Sequence, residues 1–275
     1  MQITKADGTR ETFKPAKLRN SLRKAGAVRQ EIDGITSQIV ATLHDGMKTE
    51  EIYRRAFELL RTSETQSAAR YSLRRALFSL GPTGFPFEDF LARVFEYEGY
   101  TVRKRVTLAG KCARHEIDIA AYKYDHSFVA EAKFHSRPGT KSDLQVAMYS
   151  YARKLDLNEQ KICNDDICGI KEFWVITNTK FTTAAERYGE CVGLRLLSWD
   201  YPHSGNLHDR IKATGMYPVT VLQSLSTAQK RTLIERNIIV CSDILKKPQL
   251  LRHLHISERK TEAVLSEARQ LSERY

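Results

Sequence analysis

The sequence lacks several features that would each indicate a particular class of protein. No apolar run approaches the length of a membrane-spanning helix, and the first residues do not have the pattern of a secretory signal peptide. The five cysteines are scattered without a Cys-x-x-Cys pair, which is typical of reduced thiols and predicts a cytoplasmic protein. Cys163 and Cys168 share a polar segment and are interpreted as ordinary thiols.

A Gly-rich phosphate loop of the Walker type is also missing, so a nucleotide bound by this chain is not expected to be hydrolysed there. What is abundant is positive charge, with a net charge of +11 over 275 residues. Residues 1–82 hold 15 basic and 9 acidic residues, residues 83–225 hold 19 and 18, and residues 226–275 hold 10 and 6. Basic flanks favour a polyanionic partner, either nucleic acid or nucleotide. The alternative is that the excess lysine and arginine only aid solubility.

Two acidic strands are predicted in the middle of the chain. Residues 115–121 and 127–135 both alternate apolar and polar side chains, and the polar gap between them suits a hairpin. Carboxylates that converge on one patch repel one another unless a cation joins them, and Mg²⁺ (or Mn²⁺) suits such a site. The alternative is a solvated strand face. Ile117 and Ile119 are predicted to share the opposite face of the first strand. The charged side chains predicted to converge are Glu116, Asp118, Glu131, Lys133 and His135.

The neighbouring elements are predicted in a definite order. A helix over 87–95 and a strand from about 100 precede the acidic strands, and a helix over 139–157 and strands over 172–177 and 194–199 follow them. Together, residues 82–201 resemble the PD-(D/E)XK nuclease superfamily, in particular Mrr-type restriction endonucleases. The resemblance implies a restriction-endonuclease-like α/β core and metal-dependent cleavage of DNA.

The resemblance also implies roles for individual residues. Asp118 matches the family's metal-binding aspartate, and Glu131-Ala132-Lys133 matches its acid-x-Lys element. Glu88 matches the acidic residue often found on the first helix, where it would hold a second metal ion or a metal-bound water. Asp118 and Glu131 would be the metal ligands, and Lys133 would orient or deprotonate the attacking water. The proline that commonly precedes the aspartate is replaced by Ile117.

Three further residues are candidates for contact with DNA. His135 ends the second acidic strand on the site face, and Lys141 follows in a basic loop. Gln145 and Tyr149 lie four residues apart on one helix face, which resembles the Gln-x-x-x-Tyr element of RecB-like nucleases. The alternatives are a surface histidine and incidental packing.

The first 82 residues predict a hairpin followed by four helices. The strands flank an Asp-Gly turn, and a threonine before the third helix is a good N-cap. This segment resembles the ATP-cone, the nucleotide-sensing domain of ribonucleotide reductases and their repressors. Ala6 stands where that family usually carries arginine. The residues that match its signature and would bind ATP or dATP as an effector are Lys5, Asp7, Gly8, Lys17, Lys48 and Thr49.

Those six residues also have a plainer interpretation, in which the lysines are surface charges and Thr49 only caps its helix. The C-terminal residues predict an irregular stretch over 206–221 and short helices beyond it. Residues 250–260 resemble a helix-hairpin-helix DNA-binding module, although its usual glycine is missing. A dimerisation module is the alternative.

The sequence therefore predicts three domains of mixed α/β and α+β class. These are an ATP-cone (1–82), a restriction-endonuclease-like nuclease domain (83–205) and a small all-α domain (206–275). The predicted function is Mg²⁺-dependent hydrolysis of DNA, regulated by ATP or dATP and accompanied by homo-oligomerisation. The alternative is a nucleotide-sensing DNA-binding regulator whose nuclease fold is not catalytic.

Overall fold

The computed structural model describes residues 1–63, 65–124, 126–157 and 169–272, and Cys163 and Cys168 lie outside these ranges. Within them, no helix is long and apolar enough to cross a membrane.

The N-terminal residues form the predicted hairpin and helices. Strands β1 (Gln2–Thr4) and β2 (Arg10–Thr12) pair antiparallel across a turn in which Gly8 has a φ of 81°. The helices are α1 (Pro15–Lys24), α2 (Arg29–Ala41), α3 (Thr49–Ser63) and α4 (Thr65–Phe78). The carbonyl of Lys48 accepts the amide of Ile52, so Lys48 occupies the cap position of α3. The prediction that Thr49 is the N-cap is therefore wrong by one residue, since Thr49 is the first helical residue.

A five-stranded mixed sheet forms the centre of the molecule. Its strands are β3 (Thr101–Ala109), β4 (Arg114–Lys123), β5 (His126–Lys133), β7 (Glu172–Thr177) and β9 (Arg195–Leu197), in that order. The first three form an antiparallel meander, whereas β5, β7 and β9 run parallel. The two parallel connections pass through α6 (Leu144–Asp156) and α7 (Thr183–Val192). The predicted order of helix, meander, crossover helix and strand is the order observed.

Two cores cover the two faces of this sheet. The first core joins α5 (Phe85–Tyr97) to one face, where Phe95 and Phe128 are buried. The second core joins α6 and α7 to the other face, where Val129 and Phe173 are buried. The helix α5 forms because its buried apolar residues recur at spacings of three and four and pack in the first core. The result is a three-layer α/β/α arrangement.

Several elements of the central region differ from the prediction. The helix α6 begins at Leu144, not at 139, because Asp143 accepts the amide of Val146 and caps it. The residues just before it form a short strand, β6 (Lys141–Ser142), which pairs in parallel with β8 (Lys180–Phe181). The prediction that 206–221 is irregular is wrong, since α8 (Leu207–Thr214) lies there with Asn206 as its N-cap.

The C-terminal region is helical, as predicted. It contains α9 (Thr227–Glu235), α10 (Cys241–Lys246), a 3-10 helix (Pro248–Leu254) and α11 (Glu258–Ser272). Its buried side chains belong to the first core together with those of α4 and α5. The Thr220 hydroxyl donates to the Ala76 carbonyl of α4 at 2.8 Å. The N-terminal and C-terminal regions therefore pack directly on each other.

Candidate functional site

The candidate site lies where the antiparallel meander loses its regular pairing. The register of β3 and β4 is interrupted between Arg105 and Asp118, and Arg105 has a φ of 51°. The register of β4 and β5 ends at Ile119 opposite Ala130. Ile119 packs in the first core and Ile117 in the second, so the prediction that both share one face is wrong. Positive φ is uncommon outside glycine and clusters at functional sites.

Asp118 sits at this irregularity. Its Oδ2 accepts the backbone N–H of Ala132 at 2.7 Å, which ties it to the neighbouring strand. Burial, followed by the negative charge of Glu131, raises the pKa of Asp118 to about 6. The two predicted metal ligands are therefore close enough to repel each other.

Glu131 is buried, and both of its carboxylate oxygens have cationic partners. The Lys133 ammonium donates to Oε1 at 2.5 Å. The guanidinium of Arg153, from α6, donates to Oε2. A second nitrogen of Arg153 donates to the backbone carbonyl of Glu116, so one side chain links the carboxylate of β5 to the backbone of β4.

The sequence interpretation missed Arg153, although a signal for it exists. Gln145, Tyr149 and Arg153 are spaced at four-residue intervals along α6, and Arg153 lies 5.5 Å from the centre of the Tyr149 ring. Gln145 and Tyr149 are exposed, whereas Arg153 is 5% exposed. An arginine that continues a polar stripe toward the sheet could have been considered as a partner for the acidic strands.

Glu88 comes from α5 and is 7% exposed. Its Oε2 accepts Nη1 of Arg105 at 2.9 Å, and Arg105 also donates to Asp89 at 2.9 Å. Burial raises the pKa of Glu88 against the opposing effect of the Arg105 hydrogen bond. With this left-handed backbone, the Arg105 guanidinium contacts both Glu88 and Asp89, which the sequence alone does not reveal.

The residues present fit a divalent cation with few protein ligands. Asp118 and Glu131 offer two carboxylates in a partly buried site, and Mg²⁺ is commonly held by one or two carboxylates while it keeps several waters. In the part of the chain that the structure describes, no three His, Cys, Asp or Glu side chains are grouped to hold a metal. A cation here would therefore be bound by fewer than three such side chains, and the role of Glu88 as a ligand stays a prediction.

The candidate DNA contacts differ in their surroundings. The backbone of His135 exchanges two hydrogen bonds with the buried side-chain amide of Asn178, at 2.9 and 2.8 Å, and the Nε2 of His135 lies 3.2 Å from the Ser142 hydroxyl. Burial, followed by the charge of Lys133, lowers the pKa of His135. Lys141 and Gln145 are exposed to solvent. Their contact with DNA stays a prediction, and His135 already has a structural role just beyond β5.

The six nucleotide-site candidates cluster around the hairpin. Lys5 and Lys17 both reach Oε2 of Glu11, at 3.4 and 2.9 Å. Lys48 forms an isolated parallel β-bridge with Thr4, which brings the start of α3 beside β1. In the turn itself, Asp7 accepts two hydrogen bonds from Thr9, at 3.0 and 2.6 Å, and Gly8 completes the turn. Thr49 is half-buried at the start of α3.

The hairpin turn also touches the central region. A β-carbon on Gly139 would lie 3.3 Å from the backbone nitrogen of Asp7 and 3.4 Å from its Cβ. Gly139 belongs to the loop 136–140, which closely follows the β5 strand and its Glu131 and Lys133. The hairpin is thus in contact with a segment that continues from the candidate site.

Comparisons with known proteins identify both ends of the chain. The ATP cone domain family matches residues 1–78, and the AF1548-like, C-terminal family matches residues 217–272. An uncharacterized protein from Archaeoglobus fulgidus is 31% identical over 182 residues, which cover 66% of this chain and 99% of that protein.

A crystal structure of a protein of unknown function, AF1548, has a TM-score of 0.55 and 29% identity and covers 69% of this chain and 98% of its own. The N-terminal match establishes the ATP-cone prediction for the first 78 residues. The chain therefore belongs to the AF1548-like family and carries an ATP cone domain at its N-terminus.

Proposed function

We propose that the protein is a metal-dependent deoxyribonuclease of restriction-endonuclease-like fold whose activity responds to ATP or dATP bound at the cone. The observation that carries the proposal is the convergence of Asp118, Glu131 and Lys133 at the point where β4 and β5 separate. Carboxylates held so close together that the pKa of one of them is raised are typical of functional sites. The Lys133 ammonium beside them can orient a water molecule and attract a negatively charged phosphate.

The residues have distinct roles in this proposal. A divalent cation, when bound, supplies charge neutralisation at the phosphate and lowers the pKa of a water. Asp118 and Glu131 would hold it, and the family resemblance adds the backbone carbonyl of Ala132. Lys133 would orient or deprotonate the attacking water, because its ammonium lies at the exposed side of Glu131. Glu88 is the candidate for a second ion.

The nucleotide response rests on the ATP cone domain and on the contact at Gly139. A nucleotide that attracts Lys5 and Lys17 would compete with Glu11 for them and so disturb the hairpin. Because the hairpin turn packs on the loop 136–140, that disturbance would reach the strand that carries Glu131 and Lys133. Homo-oligomerisation, which nucleotide binding would promote, belongs to the same proposal.

One observation favours the alternative of a DNA-binding regulator without catalysis. Lys133 and Arg153 already neutralise both oxygens of Glu131, so this carboxylate is satisfied without a metal ion. In that case the exposed basic residues would grip DNA, and Asp118 would hold β5 through the Ala132 amide.

The deciding experiment is a DNA-cleavage assay with Lys133→Ala. Supercoiled plasmid, linear duplex and single strands are incubated with Mg²⁺ or with EDTA, each with no nucleotide, ATP or dATP. We expect Mg²⁺-dependent cleavage by the wild type and a loss on the order of 10²–10⁴-fold in Lys133→Ala. Lys212→Ala, at an exposed lysine of α8, is the matched control.

The outcomes separate the two functions. Cleavage that survives in Lys133→Ala would show that another site or a contaminant is responsible. DNA binding without cleavage in any condition would favour the regulator. Cleavage with the same rate in all three nucleotide conditions would retain the nuclease and reject its regulation by the cone.

A further inference from the structure

Arg153 lies beneath the point where β4 and β5 separate. Its guanidinium links the Glu131 carboxylate to the Glu116 carbonyl, and these two residues belong to strands that are no longer paired there. The helix α6 faces the sheet with Ala147, Ser150 and Arg153. The small side chains leave room for the one long side chain among them.

The two cationic partners of Glu131 are not equivalent. The Lys133 side chain is 34% exposed, whereas that of Arg153 is 6% exposed. Lys133 can leave Oε1 and be solvated, because its ammonium is at the surface. Arg153 cannot leave Oε2 without placing an unpaired charge in the interior, which is strongly unfavourable. When a cation approaches Glu131, Lys133 can therefore leave Oε1 to the cation, whereas Arg153 stays bonded to Oε2.

We propose that Arg153 is a positioning residue that fixes Oε2 of Glu131 and leaves Oε1 as the single oxygen for a divalent cation. The inference rests on the proposed function, since it concerns the same carboxylate. It assigns to Lys133 the exchangeable contact and to Arg153 the permanent one. Glu131 is then oriented before any ligand arrives.

The chemistry of arginine suits this role. Its planar fork donates in two directions at once, here to a side chain of one strand and to the backbone of the other. A lysine has one compact ammonium and would serve Glu131 alone. Among the described residues, Nε of Arg153 finds no hydrogen-bond partner, so the guanidinium is not placed for maximal hydrogen bonding. Its position is explained by the two acceptors it joins.

The test measures metal binding directly, independently of cleavage. Mn²⁺ is titrated into wild type, Arg153→Met and Arg153→Lys, and free Mn²⁺ is followed by electron paramagnetic resonance. Loss of a group that orients a metal ligand typically weakens metal affinity 10–100-fold, so we expect about that loss in Arg153→Met. Arg153→Lys retains the charge and loses the Glu116 link, and we expect a fall of about threefold or more. Arg187→Met, at an exposed arginine of α7, is the matched control.

Thermal unfolding accompanies each titration. If Arg153→Met does not fold, Arg153→Lys decides the case, because it keeps the buried positive charge. Folded variants that bind Mn²⁺ as tightly as the wild type would overturn the proposal and leave Arg153 as a structural link between two strands. A wild type that binds no Mn²⁺ would also overturn it.

The proposed function can fail separately. If the wild type binds Mn²⁺ but cleaves no DNA, the nuclease proposal fails, and the Mn²⁺ affinities of the variants still decide the role of Arg153. If the wild type cleaves DNA, the Mg²⁺ concentration for half-maximal cleavage should rise in the same order as the Mn²⁺ dissociation constant, from wild type to Arg153→Lys to Arg153→Met.

Discussion

Two carboxylate clusters share the same sheet and the same helix and differ in almost every electrostatic respect. The first is Asp156, at the C-terminal end of α6, which accepts Nε2 of His115 at 2.6 Å and the amides of Cys112 and Ala113 at 2.7 and 3.1 Å. The His115 hydrogen bond, with further lowering by the two amides, brings the pKa of Asp156 to about 2. The second is the Asp118–Glu131 pair, in which burial and like charge raise the pKa of Asp118 to about 6.

The difference separates two uses of a carboxylate. Every donor around Asp156 stabilises its ionised form, and the cluster fastens the β3–β4 turn to α6. Room there is so limited that a β-carbon on Gly110 would collide with Oδ2 of Asp156. Asp118 receives one amide and faces a second carboxylate, which is a poor arrangement for stability. Such an arrangement is expected where the charge serves a ligand or a reaction.

The largest expected effect is on activity, in Asp118→Asn. The substitution removes one of the two carboxylates proposed to hold the cation, and we expect Mg²⁺-dependent cleavage to fall about a thousandfold. Stability should not fall, because asparagine can still accept the Ala132 amide while the repulsion from Glu131 disappears. Cleavage rates and urea unfolding at pH 7 are measured on the same preparation. A marked loss of stability would remove the contrast between the two clusters.

A smaller effect, on stability alone, is expected for the same chemical change at Asp156→Asn. The folded-state pKa lies below the usual value of about 3.9, so ionised Asp156 stabilises the fold above about pH 4. That contribution is lost as the pH falls toward about 2. Asp156→Asn should therefore be less stable than the wild type at pH 7, and the difference should shrink as the pH is lowered through this range.

Unfolding curves of wild type and Asp156→Asn between about pH 7 and about pH 2.5 test this prediction, with cleavage at pH 7 as the second measurement. Activity should remain close to that of the wild type wherever the variant is folded. A difference in stability that stays constant with pH would mean that the carboxylate charge contributes nothing to the cluster.

The sequence predicted the acidic strands but not what makes their site unusual. Strand alternation placed Glu131 and Lys133 on one face, because the side-chain period of two depends only on local backbone geometry. Asp118 lies beside Glu131 although the alternation of β4 is broken between Ile117 and Ile119. It could not predict the interruption at Arg105, since a positive φ in a non-glycine residue is imposed by tertiary contacts. The buried partner of Glu131 came from α6, more than twenty residues away along the chain.

The packing between segments could not be predicted from the sequence either. The hairpin and the four helices of the cone follow from turn and capping residues and from amphipathic spacing, and they were predicted closely. The short strands β6 and β8 were not predicted, because each has two residues and forms only when the other is present. The shared core of α4, α5 and the C-terminal helices depends on contacts between residues more than a hundred positions apart, such as Thr220 with Ala76.

The smallest expected effect would show whether nucleotide binding reaches the Asp118–Glu131 pair, and it uses Gly139→Ala. Gly139 has a φ of 94° and lies against Asp7, whereas Gly99 has a φ of 89° and open space where a methyl group would lie. Alanine at either site bears a similar left-handed strain of about 1–2 kcal/mol. Only Gly139→Ala pushes on the hairpin turn, so only this variant should change the affinity for ATP and the effect of ATP on cleavage.

The Gly99→Ala variant makes the comparison independent of stability, because both substitutions weaken the fold by the same mechanism. ATP affinity is measured by calorimetry, and cleavage is measured with and without ATP in both variants. If Gly139→Ala and Gly99→Ala respond to ATP alike, the contact at Asp7 does not transmit nucleotide binding. If they differ, the loop 136–140 connects the hairpin to the strand of Glu131.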